Sequence, residues 1–209
     1  MKTGRQGRSL AVKQRRTRIA MDDCLVKKII PYVEGGVGDS ADLLAKASMV
    51  FLQAGELADI PETLEPFQRP PLAKVAVMLH LDLIHGLARD EAALRYIAEL
   101  DRIDGIITVH QHLVSAARRH GLLTVVRLFI QDTRAVGRGI GVIEKSMPDA
   151  IEMLPSVAAI EVADRFQQLH IPRIAGGLIY NLNAIQRVLD SGCRAASTSN
   201  RELWGFNDR

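Results

Sequence analysis

Several charged or polar side chains interrupt runs that are otherwise apolar and β-branched. His80 and Asp82 stand two apart in VMLHLDLI, Arg127 breaks VVRLFI with Asp132 just beyond it, Glu152 breaks AIEMLP, and Thr108 stands near the end of GIITV. Positions two apart on a strand share a face, so a strand through residue 82 would aim His80 and Asp82 the same way. A charge buried alone in a strand is costly, so Asp82, Arg127 and Glu152 must meet each other, a ligand or water. Carboxylates there can accept ligand hydroxyls or take a proton, whereas an arginine only donates. Nearer the C-terminus, PRIAGGLI breaks at Gly176 and Gly177, and RAASTSN ends in Ser197, Thr198, Ser199 and Asn200. Two glycines let the backbone bend and bring its N–H groups close to an anion. Hydroxyls before a helix start add donors, and Asn200 suits the cap of a helix in RELW. The plain alternatives are a ligand-free ion network for the charges and a tight turn for the glycines.

The elements that must position these groups follow from periodicity. Eight short β-rich runs, near residues 25–33, 48–55, 74–84, 105–109, 123–130, 150–155, 172–179 and 194–199, alternate with helical patterns. That alternation predicts an α/β fold, a compact (β/α)8 TIM-type barrel with a basic N-terminal extension, smaller than the usual ~250 residues. An open sheet would need two fewer strands. The second unit is the irregular one, because Pro61, Pro66, Pro70 and Pro71 leave room only for a short helix. Gly121 follows Arg118, Arg119 and His120 as a helix stop, and Gly192 closes the next-to-last helix. In such a barrel the reactive surface lies at the C-terminal ends of the strands, with phosphate often held after strands seven and eight. The glycines and hydroxyls fall on that strand pair. GGVGDS at 35–40 lacks a Walker lysine, and the glycines at 137, 139 and 141 miss the last interval of a dinucleotide fingerprint.

The charge balance is lopsided. Residues 1–18 hold seven basic side chains, among them Arg5, Arg8, Lys13, Arg15, Arg16 and Arg18, and no acid; the other 20 of the 27 basic side chains face all 24 acids. The reading is therefore a basic arm over 1–24 on a slightly acidic barrel over 25–209. Such an arm attracts polyanions such as RNA, DNA or an anionic membrane surface, or it is a solvated tail. No run approaches the ~20 apolar residues of a membrane helix. Cys24 and Cys193 form no metal or redox motif and fit a reducing cytoplasm. No metal or cofactor is expected, and homo-oligomers are left open.

The strings HLDLIHGLARDE, GIIT, RLFIQD, PDAIEMLP, IPRIAGGLI and ASTSNRELW resemble, in order, the glycerol-3-phosphate-responsive antiterminators, over roughly Ile29 to Phe206. The resemblance implies a barrel that binds the effector glycerol 3-phosphate and, when loaded, binds the leader mRNA of a glycerol-metabolism operon so that a terminator fails. Carried over by position, Gly176, Gly177, Thr198, Ser199 and Asn200 hold the phosphate. His80, Asp82, Arg127, Asp132 and Glu152 serve the glycerol hydroxyls and the polar network around them. The chain departs from the family where Ala88 and His110 replace a frequent lysine and arginine, and where Tyr180 follows AGGLI in place of an arginine.

Two other function classes compete. H-L-D also resembles the metal-binding strand of ribulose-phosphate epimerases, but the acid that family carries before the paired glycines is Ala175 here. A phosphosugar lyase using Asp82 or Glu152 as base remains open, although strands four to six carry no lysine for a Schiff base. A ligand-independent RNA binder driven by the arm is the third reading. Nine aromatic residues give it few platforms for stacking bases.

Overall fold

A computed structural model describes residues 19–208. The arm cations Arg5, Arg8, Lys13, Arg15, Arg16 and Arg18 lie outside the described residues. All eight expected runs are strands: β1 (Ile29–Glu34), β2 (Met49–Gln53), β3 (Ala76–His80), β4 (Gly105–Thr108), β5 (Leu123–Phe129), β6 (Ala150–Leu154), β7 (Arg173–Gly176) and β8 (Ala195–Thr198). They close in sequence order into one barrel, β8 pairing with β1 and every pair parallel.

Strand alternation sorts the side chains into two cores. Outward residues such as Val50, Val77, Ile106, Val126, Ile151 and Ala196 pack under the helices. Inward residues Ile30, Met49, Phe51, Met78, Val125 and Ile174 fill the barrel. Small side chains of the interior, Ala76, Ala150 and Ala195, leave space that the larger ones occupy. Gly105 takes this furthest: a Cβ there would lie 2.5 Å from the Leu123 carbonyl oxygen and 2.6 Å from Met78 Cε. Met78 fills the place of the missing side chain.

The helix Met21–Cys24 buries Met21 and Cys24 against that interior, with Leu25 beside them. Thus residues 21–24, on the arm side of the boundary read from sequence, pack as the floor of the barrel. The second unit is irregular as expected, a five-residue helix Ile60–Leu64 running into a 3-10 turn Glu65–Gln68. Gly121 adopts φ +79° just after the helix Leu113–Arg119, a conformation that suits glycine. Arg118 spans to the carbonyl of Met147, and Arg119 pairs with Glu91 at 2.9 Å, so both tie neighbouring elements together.

Candidate ligand site at the barrel mouth

Above the apolar interior the inward positions turn polar. Tyr32 Oη donates to Gln53 Oε1 at 2.8 Å, and the Arg127 guanidinium sits over the Tyr32 ring, 5.6 Å from its centroid. Arg127 Nε donates to Glu152 Oε2 at 2.6 Å, and Ser197 Oγ donates to Glu152 Oε1. Five strands, β2, β1, β5, β6 and β8, are thereby linked across the mouth. The β5–β6 register sets Arg127 directly beside Glu152. Glu152 is buried and Arg127 nearly so, so each charge depends on the other. Burial raises the Tyr32 hydroxyl above its ordinary pKa while Arg127 pulls it back.

Gly176 lies on β7, the strand between Glu152 and Ser197. A Cβ on it would lie 2.2 Å from Ser197 Oγ and 2.8 Å from Glu152 Oε1. The hydrogen bond between those two side chains occupies the room the glycine leaves, and Gly176 does not line the cavity above. Gly177 does line it, at φ +72°, its carbonyl accepting from Ser156 N at 3.2 Å.

The cavity, about 450 Å³, opens at the C-terminal ends of the strands. One wall is Gly177 to Tyr180, a second is Ser197 to Asn200, and Tyr32, Glu34, Gln53, Arg127 and Glu152 complete it with Leu83 and Leu154. Thr198 Oγ1 accepts from Asn200 N at 3.1 Å, and Asn200 Oδ1 caps the helix Arg201–Trp204 through Glu202 N at 3.1 Å, as the sequence suggests. Arg127 is the cationic side chain on the cavity wall, and its charge is matched by Glu152.

Of the ten ligand positions singled out in the sequence, Gly177, Thr198, Ser199, Asn200, Arg127 and Glu152 meet on this cavity. Four do not. β3 ends at His80, and Leu81–Leu83 is a 3-10 turn, so the two-apart rule fails and the pair diverges. Asp82 accepts from Thr108 Oγ1 and Val109 N, both at 2.7 Å, with His110 Nε2 at 3.9 Å. His80 lies below the mouth, its ring edge-on to Tyr32 at 6.2 Å, and neither ring nitrogen has a partner among the described residues. Burial and the Arg127 charge push its pKa down to about 4. Asp132 caps the helix Thr133–Ser146 through Ala135 N at 2.6 Å, and Gly176 is the spacer already described. Tyr32, Glu34, Gln53 and Ser197 join the site without having been named as its ligands. Tyr32 and Gln53 were polar groups closing apolar runs, the same signal that marked Arg127. Among the described residues no group of three or more His, Cys, Asp or Glu could hold a metal ion.

Comparison with known proteins places this barrel. Residues 29–204 match the family model "Glycerol-3-phosphate responsive antiterminator". The glycerol uptake operon antiterminator regulatory protein from Listeria monocytogenes str. 4b F2365 is 32% identical, covering 85% of this chain and 94% of that one, with a TM-score of 0.76. The glycerol uptake operon antiterminator-related protein from Thermotoga maritima MSB8 is 29% identical over 85% of this chain and 98% of that one, with a TM-score of 0.74. Among curated proteins, uncharacterized protein YgcP of Escherichia coli strain K12 is 29% identical over 126 residues, which span 60% of this chain and 66% of that protein. This chain belongs to the glycerol-3-phosphate-responsive antiterminator family.

Proposed function

We propose that glycerol 3-phosphate binds in the barrel mouth and that the loaded protein binds the leader mRNA of a glycerol-metabolism operon so that transcription passes a terminator. The observation that carries this reading is the meeting of Gly177 and Thr198–Asn200 with the Arg127–Glu152 pair on one cavity. Its volume of about 450 Å³ suits a small ligand. The phosphate goes to the lips after β7 and β8, the place this fold commonly uses. The glycerol hydroxyls go to Glu152, Arg127 and the Tyr32–Gln53 pair. Because Glu152 already engages the one cation of the cavity wall, phosphate affinity rests on backbone N–H groups and hydroxyls.

A regulatory role fits better than catalysis. Both Glu152 oxygens are engaged, by Arg127 and Ser197, which suits a fixed acceptor more than a base that must take up a proton. No lysine lines the cavity to form a Schiff base. Glycerol 3-phosphate then acts as effector with no further cofactor, in the cytoplasm, and the arm cations add RNA contacts.

Calorimetric titration of glycerol 3-phosphate into the purified chain tests the ligand, with glycerol and inorganic phosphate as controls. The wild type is expected to prefer the ester over both fragments. Gly177→Asp, which sets a carboxylate at the phosphate lip, is expected to lose about tenfold or more of that affinity through charge repulsion while keeping its thermal midpoint within a few degrees. A wild type indifferent to the ester sinks the reading.

A further inference from the structure

Because all eight strands are parallel, every connection from a strand to its helix lies on the mouth side and every connection into a strand lies on the opposite side. The charges divide along that line. All five lysines of the described residues belong to the second set: Lys27 and Lys28 just before β1, Lys46 before β2, Lys74 before β3, and Lys145 in the last helical turn before β6. Lys28, Lys74 and Lys145 are exposed and form no ion pair among the described residues. Glu99, Asp101 and Glu144 are exposed on the same side, and four other acids there are engaged. Asp104 accepts from Val77 N and Asp149 from Thr124 N, both at 2.9 Å, Asp208 holds Lys46 at 2.6 Å, and Asp22 faces Arg194 at 3.5 Å.

The mouth side is the reverse. Glu34, Asp39, Glu56, Asp59, Asp90 and Asp132 follow the strands there, and no lysine does. Two arginines on that side are already committed, Arg201 to Asp39 and Arg89 to the Asp82 carbonyl at 2.9 Å, while Arg134 is exposed in the first turn of the helix Thr133–Ser146. A polyanion approaching the mouth meets carboxylates, whereas one approaching from below meets unpaired ammonium groups. The described chain begins on that lower side. Ile19 packs against the interior core beside the Met21–Cys24 floor, so the seven cations of residues 1–18 are joined to the barrel there.

We propose that RNA docks on the lysine-bearing N-terminal face of the barrel, the face opposite the ligand mouth, with Lys28, Lys74 and Lys145 contacting its phosphates. This rests on the RNA-binding reading above and adds where the contact lies. Effector and RNA then occupy opposite ends of one barrel and do not compete for the same surface.

The test uses the full chain saturated with glycerol 3-phosphate and a fluorescent transcript of the leader of its own glycerol operon. The triple variant Lys28→Glu, Lys74→Glu, Lys145→Glu is expected to bind this RNA at least about tenfold more weakly, and its log affinity to fall less steeply with log salt by about two to three units. Its glycerol 3-phosphate titration is expected to match the wild type. The triple Lys→Arg variant, which keeps the charges, is expected to bind RNA as the wild type does. Arg89→Glu with Arg134→Glu on the mouth side is expected to leave RNA affinity within about twofold, since neither charge is needed below. RNA affinity that survives the lysine reversal and falls with the mouth variant overturns the placement alone. A wild type that binds the ester but no RNA removes the RNA reading, and the placement with it. Wild-type binding to phosphatidylglycerol vesicles in place of RNA assigns the face to a membrane and also overturns the proposal.

Discussion

Two residues at the mouth show how one side chain, or its absence, sets the site. Gly176 leaves the space in which Ser197 donates to Glu152, and that bond fixes the carboxylate for Arg127. Gly176→Ala should therefore separate Glu152 from Ser197 and leave buried polar groups poorly paired, lowering stability by about 1–3 kcal/mol and weakening ester binding with it. Chemical denaturation and titration of the same sample check both. His80 is the other case. Its pKa is held down to about 4 from an ordinary 6.5 by burial first and Arg127 second, against Asp82. Between those values the unfolded chain takes up a proton that the folded chain refuses. Stability is thus full above about pH 6.5 and falls as pH drops toward 4, by up to about 3 kcal/mol. Thermal midpoints at pH 7 and pH 4.5 should converge in His80→Met relative to the wild type; an equal drop in both would mean another group titrates. Polarity inside an apolar run was enough to mark Arg127 and Glu152 from sequence. That they would touch was not, because contact depends on the β5–β6 register, which no local pattern encodes.

At the level of elements the strands were legible because each is a short apolar run bounded by turn residues, and the proline-rich second unit gave only short helical pieces. Helix starts were less legible. The resemblance sets Asp132 in the polar network around the ligand; in the structure it shares its capping geometry with Asp90 and Asn181, whose side chains accept from Ala93 N and Ala184 N at 2.9 Å. Each precedes its accepted alanine amide by three residues, a spacing that identifies the caps once the helices are known. Asp132→Ala should cost about 1 kcal/mol by loss of the cap and leave the glycerol 3-phosphate titration unchanged, since its carboxylate is spent on the helix Thr133–Ser146. A selective loss of ester binding would return Asp132 to the site. β3 carries the opposite lesson: it stops at His80, four residues before the run that ends at Ile84, and that early stop sends Asp82 to Thr108.

Across the whole molecule, the parallel order of eight strands gives the barrel two chemically distinct ends, a polar mouth and a floor closed by Met21, Cys24 and Leu25. The barrel itself could be anticipated from the alternation of runs. The floor could not, because four helical residues beside a basic segment carry too short a pattern to be read. It has a practical consequence. Cys24 is 1% exposed, and burial with the Asp104 and Asp23 charges pushes its thiol up to about 12, so near neutral pH it is neither accessible nor ionised while the floor is in place. In a Cys193→Ser background, the rate at which a thiol reagent labels Cys24 becomes a clock for the floor's opening. It should run orders of magnitude slower than for a free thiol, and labelling at the free rate would mean the floor does not hold. Timed with and without effector and RNA, that single sulfur reports from the lower end of the barrel whether an event at the mouth has arrived there.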